Sequence, residues 1–303
     1  MASIKNHDDL ITILVMIYTF VDDFNQQVVG SLYPCLEKPS RGKPPVKKGN
    51  LTVAEMVSLA VFRFFTGHRS WKEFYRHVKA YHHKDFPNLP AYSNFIDRIN
   101  KLAFFAMLIL EFLMNLFKQM TGKEGLKFAD GSKLIACNIK RELTNKVCKG
   151  KAMKSKSTMG WFYGFKLHII CNELMHILSF TITPGNVDER KALASIWDSI
   201  LGMIIADAGY VGKDWITEAR DKGKILLTAV KANMKKLMTK TQHELLKLRQ
   251  CVETVFSVLK LRMGIENTLP RSPLGFFAHY LWCLTAYQMK KFFELLIPKP
   301  LLT

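Results

Sequence analysis

The chain has no CxxC pair among its six cysteines, Cys35, Cys137, Cys148, Cys171, Cys251 and Cys283, and no short ligand spacing that would hold zinc. Neither a zinc ribbon nor a disulfide-stapled fold is expected, and the thiols are read as reduced. His77, His82 and His83 lie close together but lack cysteine or carboxylate partners at zinc spacing. No charge-free apolar run reaches membrane-spanning length: Leu102 to Phe117 is interrupted by Glu111, and Leu10 to Val21 stops at Asp22 and Asp23. Acidic Asp8 and Asp9 ahead of the first apolar run speak against a signal peptide, so a cytoplasmic location is expected. Internal repeats and low-complexity segments are absent, which removes solenoids and tails. Acids are scarce too. Asp and Glu number 25 against 44 Lys and Arg, a net charge of +19, and a compact chain tolerates such self-repulsion best with a polyanionic partner. Nucleic acid fits, while a membrane surface does not, because the basic residues sit in loops and not along one amphipathic helix.

What remains is a chain of 303 residues, 49% apolar, long enough for a real core. Its centre of organisation is Leu245 to Met263, whose apolar residues recur at three- and four-residue steps and predict one long helix. On a helical wheel Arg249, Glu253 and Lys260 fall in a line beside that apolar stripe, a lone carboxylate between two cations. Upstream, two predicted strands each end on an aspartate followed by small residues, Leu126 to Asp130 and Met203 to Asp207.

The first part of the chain reads as all-helical: Asp8 to Val29, then a turn at Ser31 to Pro34. A Pro- and Lys-rich linker follows over 37–50. Thr52 with Glu55 forms a capping-box signature, a second helix resumes at Ser70, and a third from Ser93 carries Asn94, Arg98 and Lys101 on its polar start. Short helices with a basic helix start resemble a helix-turn-helix reader, and an ordinary helical bundle has the same pattern.

From Gly125 the period changes to two. Leu126 to Asp130 and Leu134 to Asn138 predict short strands around a turn at Asp130-Gly131-Ser132. Lys140 to Lys156 reads as a basic loop containing Lys149, Lys151, Lys154 and Lys156. Trp161 to Cys171 alternates, with Trp161 inward and Lys166 and His168 on the outer face. A return strand over His176 to Thr183 is expected, then a helix capped by Asn186 or Asp188 and running to about Leu201. Next come the strand before Asp207, a helix over about 213–222, a strand over Ile225 to Val230, and a last helix from about Pro273 to Leu296. A meander followed by alternating helix and strand makes a mixed sheet with helices on both faces. There the two aspartates can emerge side by side at the carboxyl ends of parallel strands, with Glu253 at the same edge. Three gathered carboxylates need cations, and hard divalent ions are the natural remedy.

Four motifs, FADGS at Phe128 to Ser132, TPGNVDER at Thr183 to Arg190, IIADAGY at Ile204 to Tyr210 and RQCVETVFSVLK at Arg249 to Lys260, together resemble the DDE transposases of bacterial insertion sequences. The resemblance covers about Gly125 to Leu296, and more loosely LPAYSNF at Leu89 to Phe95. It implies an α/β fold: a ribonuclease-H-like mixed five-stranded sheet flanked by helices, preceded by an all-α amino-terminal region. Residues 1–124 would form the DNA-binding region and 125–303 the catalytic domain with its carboxy-terminal helix. Asp130, Asp207 and Glu253 match the metal-binding catalytic triad, holding two Mg²⁺ or Mn²⁺ ions. Arg249 and Lys260 match the basic pair that contacts DNA phosphates. Further DNA contacts are expected from Lys166, His168, Lys149, Lys151, Lys154, Lys156, Arg98 and Lys101. The implied partner is double-stranded DNA, both the terminal inverted repeats of the element and the target, bound by a homodimer. A tyrosine found in related families three residues before the arginine is Leu246 here, so a phosphate contact from that position is not expected. A nuclease that only hydrolyses and a decayed DNA-binding copy share the same carboxylates and remain open as alternatives.

Overall fold

The computed structural model describes residues 7–29, 51–157, 160–210, 217, 220–221, 223–229, 238–266 and 270–297. The expected linker over 37–50, the turn at 31–34 and nearly all of the helix expected over 213–222 lie outside the described residues. The chain divides into two compact units. One gathers 1–111, 262–270 and 274–303, the other 112–261 and 271–273.

The first unit is helical. Helix α1 (His7–Phe24) is followed by α2 (Val53–Phe62), α3 (Trp71–Tyr81) and α4 (Tyr92–Lys101). Thr52 and Ser70 each close a full capping box, with Glu55 and Glu73 answering three residues on, so these two helix starts are written into the sequence. Helix α5 (Ala103–Thr121) begins after a break at Leu102 and passes from the first unit into the second at Phe112. Among the described residues it alone is long and apolar enough to cross a membrane; it buries Phe105, Ala106, Ile109, Leu110, Leu113 and Phe117, as a core helix also does. The last helix, α9 (Pro273–Leu296), groups with these helices from Leu274 onward. Its aromatic residues find their partners there. The Trp282 indole donates to the Ile99 carbonyl at 3.2 Å, and Phe292 meets Phe20 with ring centroids 5.4 Å apart.

The second unit is built on one mixed sheet. Its strands are β1 (Lys127–Cys137), β2 (Met153–Ser157), β3 (Gly160–Asn172), β4 (Ile177–Pro184), β5 (Gly202–Ala206) and β6 (Lys224–Thr228), ordered β2-β3-β1-β5-β6 with β4 also on β3. β1 to β4 pair antiparallel, while β1, β5 and β6 run parallel. Helix α6 (Glu189–Ile196) joins β4 to β5; α7 (Lys240–Lys247) and α8 (Gln250–Ser257) follow β6. A mixed sheet flanked by helices and preceded by helices is the ribonuclease-H-like architecture expected, with six strands in place of five.

Three local expectations are corrected. Asp130-Gly131-Ser132 is not a turn but the middle of β1, because the long β3 pairs with it continuously from Lys127↔Asn172 to Ile135↔Gly164 and overrides the local turn preference. The basic loop contains a strand, β2, which lacks apolar alternation and is held through backbone pairing to Gly160–Gly164. The alternation read over β3 assigns two residues to the wrong environment: Trp161 is 59% exposed and His168 only 1%. β3 is buried on both sides for most of its length, so alternation does not report which of its faces is outward.

Candidate active site

β1 and β5 are register partners from Lys127↔Ile204 to Ala129↔Ala206. The next residue in each is an aspartate, so Asp130 and Asp207 leave adjacent parallel strands side by side. At that point β5 ends and β1 continues along β3 alone. The Gly131 N–H donates to Asp130 Oδ1 at 2.8 Å and fixes the carboxylate beside its own strand. Gly131 is a close-approach glycine: a Cβ there would stand 2.9 Å from His168 Nδ1.

The predicted long helix is broken. α7 ends at Lys247, and Arg249 stands as the N-cap of α8 after a tightened turn in which the amides of Arg249 and Cys251 bond to the carbonyls of Leu246 and Leu248. The break puts Arg249 at the head of α8, one turn before Glu253. Its guanidinium joins all three carboxylates: Nη2 to Glu253 Oε1 at 2.9 Å, Nη1 to Asp130 Oδ2 at 3.4 Å and Nη1 to Asp207 Oδ1 at 3.9 Å. A π-helical turn over Val258–Arg262 then lets Lys260 donate to the Lys133 carbonyl on β1 at 2.8 Å. The fold therefore brings Asp130, Asp207, Glu253, Arg249 and Lys260 to one edge of the sheet, although Arg249 follows Asp130 by 119 residues.

Arg249 alone bridges the three carboxylates, which outnumber it. Burial pushes the Asp130 carboxyl up to about 6, against the opposing pull of Arg249 and of the Gly131 amide, with Asp207 and Glu189 adding to the rise. Burial likewise drives the Tyr210 phenol well above its usual range, and the nearby carboxylates push it further. Three hard oxygen donors around an excess of negative charge have the chemistry that suits a divalent ion such as Mg²⁺. As they stand they close on Arg249, and among the described residues no three His, Cys, Asp or Glu side chains are arranged to hold a metal.

The other residues singled out in the sequence divide. Lys149, Lys151, Lys154 and Lys156 are exposed on the loop and on β2, with Lys154 near both Glu142 at 3.4 Å and the Trp161 ring at 5.6 Å. Lys166 is mostly covered and pairs with Glu189 at 3.6 Å. His168, expected to face DNA, is buried; its Nε2 meets Thr183 Oγ1 at 3.1 Å, and burial lowers it to about 4, so it is a neutral interior residue. Arg98 in the first unit turns inward and donates to the Leu51 carbonyl at 2.7 Å, while Lys101 stays exposed and pairs with Asp97. Asp188 caps α6 through the Arg190 amide. That cap is evident in the sequence. Glu189, the next residue, is not, and its only signal is to be a second acid inside the TPGNVDER motif.

No curated protein and no solved structure is significantly similar to the chain. Residues 120–273, just over half of the chain, do match a known family, the transposase DDE domain. That span holds Asp130, Asp207, Glu253, Arg249 and Lys260. The protein belongs to the transposase DDE domain family.

Proposed function

We propose that the protein is a DNA transposase that cuts phosphodiester bonds at the ends of its own insertion sequence and joins the freed 3′ hydroxyls to target DNA. Members of the family act on DNA by nuclease and transfer chemistry and generally use divalent metal ions. The observation that carries the reading is the pair of aspartates leaving neighbouring parallel strands at Ala129↔Ala206, with Glu253 tied to them through Arg249.

In this reading Asp130, Asp207 and Glu253 would hold two Mg²⁺ or Mn²⁺ ions, which supply Lewis acidity and an activated water. β1 and β5 hold two of the donors on a hydrogen-bonded sheet, so little reorganisation is needed when charge develops at the scissile phosphate. Arg249 and Lys260 offer two cations to the phosphate oxygens, and Arg249 can exchange a carboxylate for a phosphate because its planar fork suits both. The exposed lysines of the loop and β2 hold the duplex by its backbone without reading sequence. Hydrolysis breaks the P–O3′ bond at the element end and leaves a 3′ hydroxyl. Transfer forms a new P–O3′ bond as one in the target breaks, so the number of phosphodiesters is conserved and no covalent enzyme intermediate is required. The helical first unit would bind the terminal repeats, and two ends imply two copies of the chain on DNA.

The test is cleavage and joining of labelled linear DNA carrying candidate element ends, comparing wild type with Asp207→Ala in Mg²⁺, Mn²⁺ or EDTA. Metal-dependent nicking with joined products, both lost in the variant, supports the reading. Nicking without joining would assign a nuclease, and binding without cutting a DNA-binding relic.

A further inference from the structure

Glu189 is a fourth carboxylate at the site, and its placement is specific. It sits in the first turn of α6, immediately after the cap Asp188. Oε1 lies 3.6 Å from Lys166 Nζ on β3; Lys166 is only 17% exposed and Glu189 37%, so the lysine is the sheltered end of the pair. Oε2 closes against the short turn Ala208–Tyr210 that follows Asp207: a Cβ on Gly209 would stand 2.8 Å from it. The carboxylate thus fills the space between a cation of the sheet and the backbone two residues beyond Asp207. Its charge is felt by Asp130 and by Tyr210, both of which it pushes upward.

We propose that Glu189 is a positioning residue that clamps Lys166 to the turn carrying Asp207, and that position 209 is glycine so that this carboxylate can close on it. The proposal rests on the transposase reading only for its catalytic consequence. The clamp is a property of the folded chain whatever the reaction.

Two physical arguments support the assignment. Lys166 is only 17% exposed, and Glu189 is the carboxylate that pairs with it where Asp130, Asp207 and Glu253 are engaged with Arg249. The turn after Asp207 is a single 3₁₀ turn closed by the Tyr210 amide on the Asp207 carbonyl at 3.1 Å, and the close approach of Glu189 to Gly209 adds an external restraint to it.

The experiment uses the full chain and the variants Glu189→Gln, Gly209→Ala and the two combined. Acetylation of lysines by acetic anhydride, read by mass spectrometry, reports the clamp without any catalysis. Lys166 is expected to react at least about threefold faster in both single variants, with Lys149 and Lys151 unchanged as internal controls. In the DNA-cleavage assay each single variant is expected to lower kcat about tenfold with little change in KM, and the double variant to be no worse than either, since both act on one contact. Unchanged Lys166 reactivity in both variants would overturn the clamp, and so would losses that multiply in the double variant. Should the wild type cut no DNA at all, the transposase reading fails, while the acetylation result still decides the placement of Glu189.

Discussion

Ala129 and Ala206 are the last register partners of the parallel pair β1 and β5, and each is followed by an aspartate. That pairing turns two sequence-distant apolar runs into one acidic edge, and it allows the contribution of each site residue to be separated from that of the fold.

Asp207 ends its strand and is half exposed, so removing its charge costs the fold little. Asp207→Asn is expected to abolish cleavage, with a loss of about a thousandfold or more, and to leave the melting temperature within a few degrees of wild type. Calorimetry beside the cleavage assay checks both halves; a collapse in stability would mean the residue is structural.

Arg249 is the counter-charge of three carboxylates and is mostly covered. Arg249→Gln is expected to lower metal-free stability by about 1–3 kcal/mol, the cost of leaving sheltered charge unpaired. Adding Mg²⁺ should recover more stability in the variant than in wild type, because the ion takes over the neutralising role. Urea unfolding with and without Mg²⁺ measures this, and equal recovery in the two proteins would contradict it.

His279 lies wholly inside the first unit, where its Nε2 donates to the Gly264 carbonyl at 3.1 Å. Burial, with Arg63 nearby, lowers it to about 3. Its folded value is below its unfolded one, so the unfolded chain binds the extra proton. The stability it permits is complete above about 6.5 and is lost as pH falls toward about 3, by up to about 1.4 kcal/mol per pH unit. His279→Phe is expected to flatten that part of the acid-unfolding curve, measured by circular dichroism across pH 3 to 7.

Gly131 approaches His168 so closely that Gly131→Ala must displace the imidazole or the strand that carries Asp130. A destabilisation of about 1–3 kcal/mol is expected, with a loss of cleavage out of proportion to it. His168→Ala combined with Gly131→Ala should recover part of the stability by removing the clash, a non-additivity that denaturant unfolding reads directly.

Lys149, Lys151, Lys154 and Lys156 are exposed and lie outside the carboxylate cluster. Changing all four to Gln is expected to weaken DNA binding equally for element ends and unrelated duplex. The slope of log K against log salt should become shallower by about 0.9 for each phosphate that is no longer neutralised. Fluorescence anisotropy over a salt series checks it, and a weakening confined to element ends would show that these lysines read sequence.

The acidic edge is legible in the sequence because an apolar run that stops on an aspartate and a small residue is a local pattern; it places Asp207 just past the end of β5 and Asp130 where β1 loses its parallel neighbour, although β1 itself runs on. The capping box at Thr52 and the helix start at Ser70 are legible for the same reason. What is not legible depends on partners remote in sequence. β1 runs through Asp130-Gly131-Ser132 because β3 lies beside it, and β2 is a strand because β3 offers it an edge. His168 is interior because a face that looks polar by its residues is covered, and the break before Arg249 sits in a stretch whose apolar spacing is continuous. Glu189 stays hidden because nothing in its neighbourhood announces that Lys166 and Gly209 come to meet it.

The uneven support of the three acids has a consequence for how the site assembles. Asp130 belongs to an eleven-residue strand bonded to β3 before and after it, so its backbone is anchored. Glu253 rides on an eight-residue helix with a tightened turn at one end and a π-helical turn at the other, both places where a helix yields at small cost. The apolar face of that helix is packed, with Val252 and Val255 fully buried, so yielding is confined to the turns at its two ends. Amide hydrogen exchange should show this as slow exchange at Ala129 to Ser132 and faster exchange at Leu248 to Cys251.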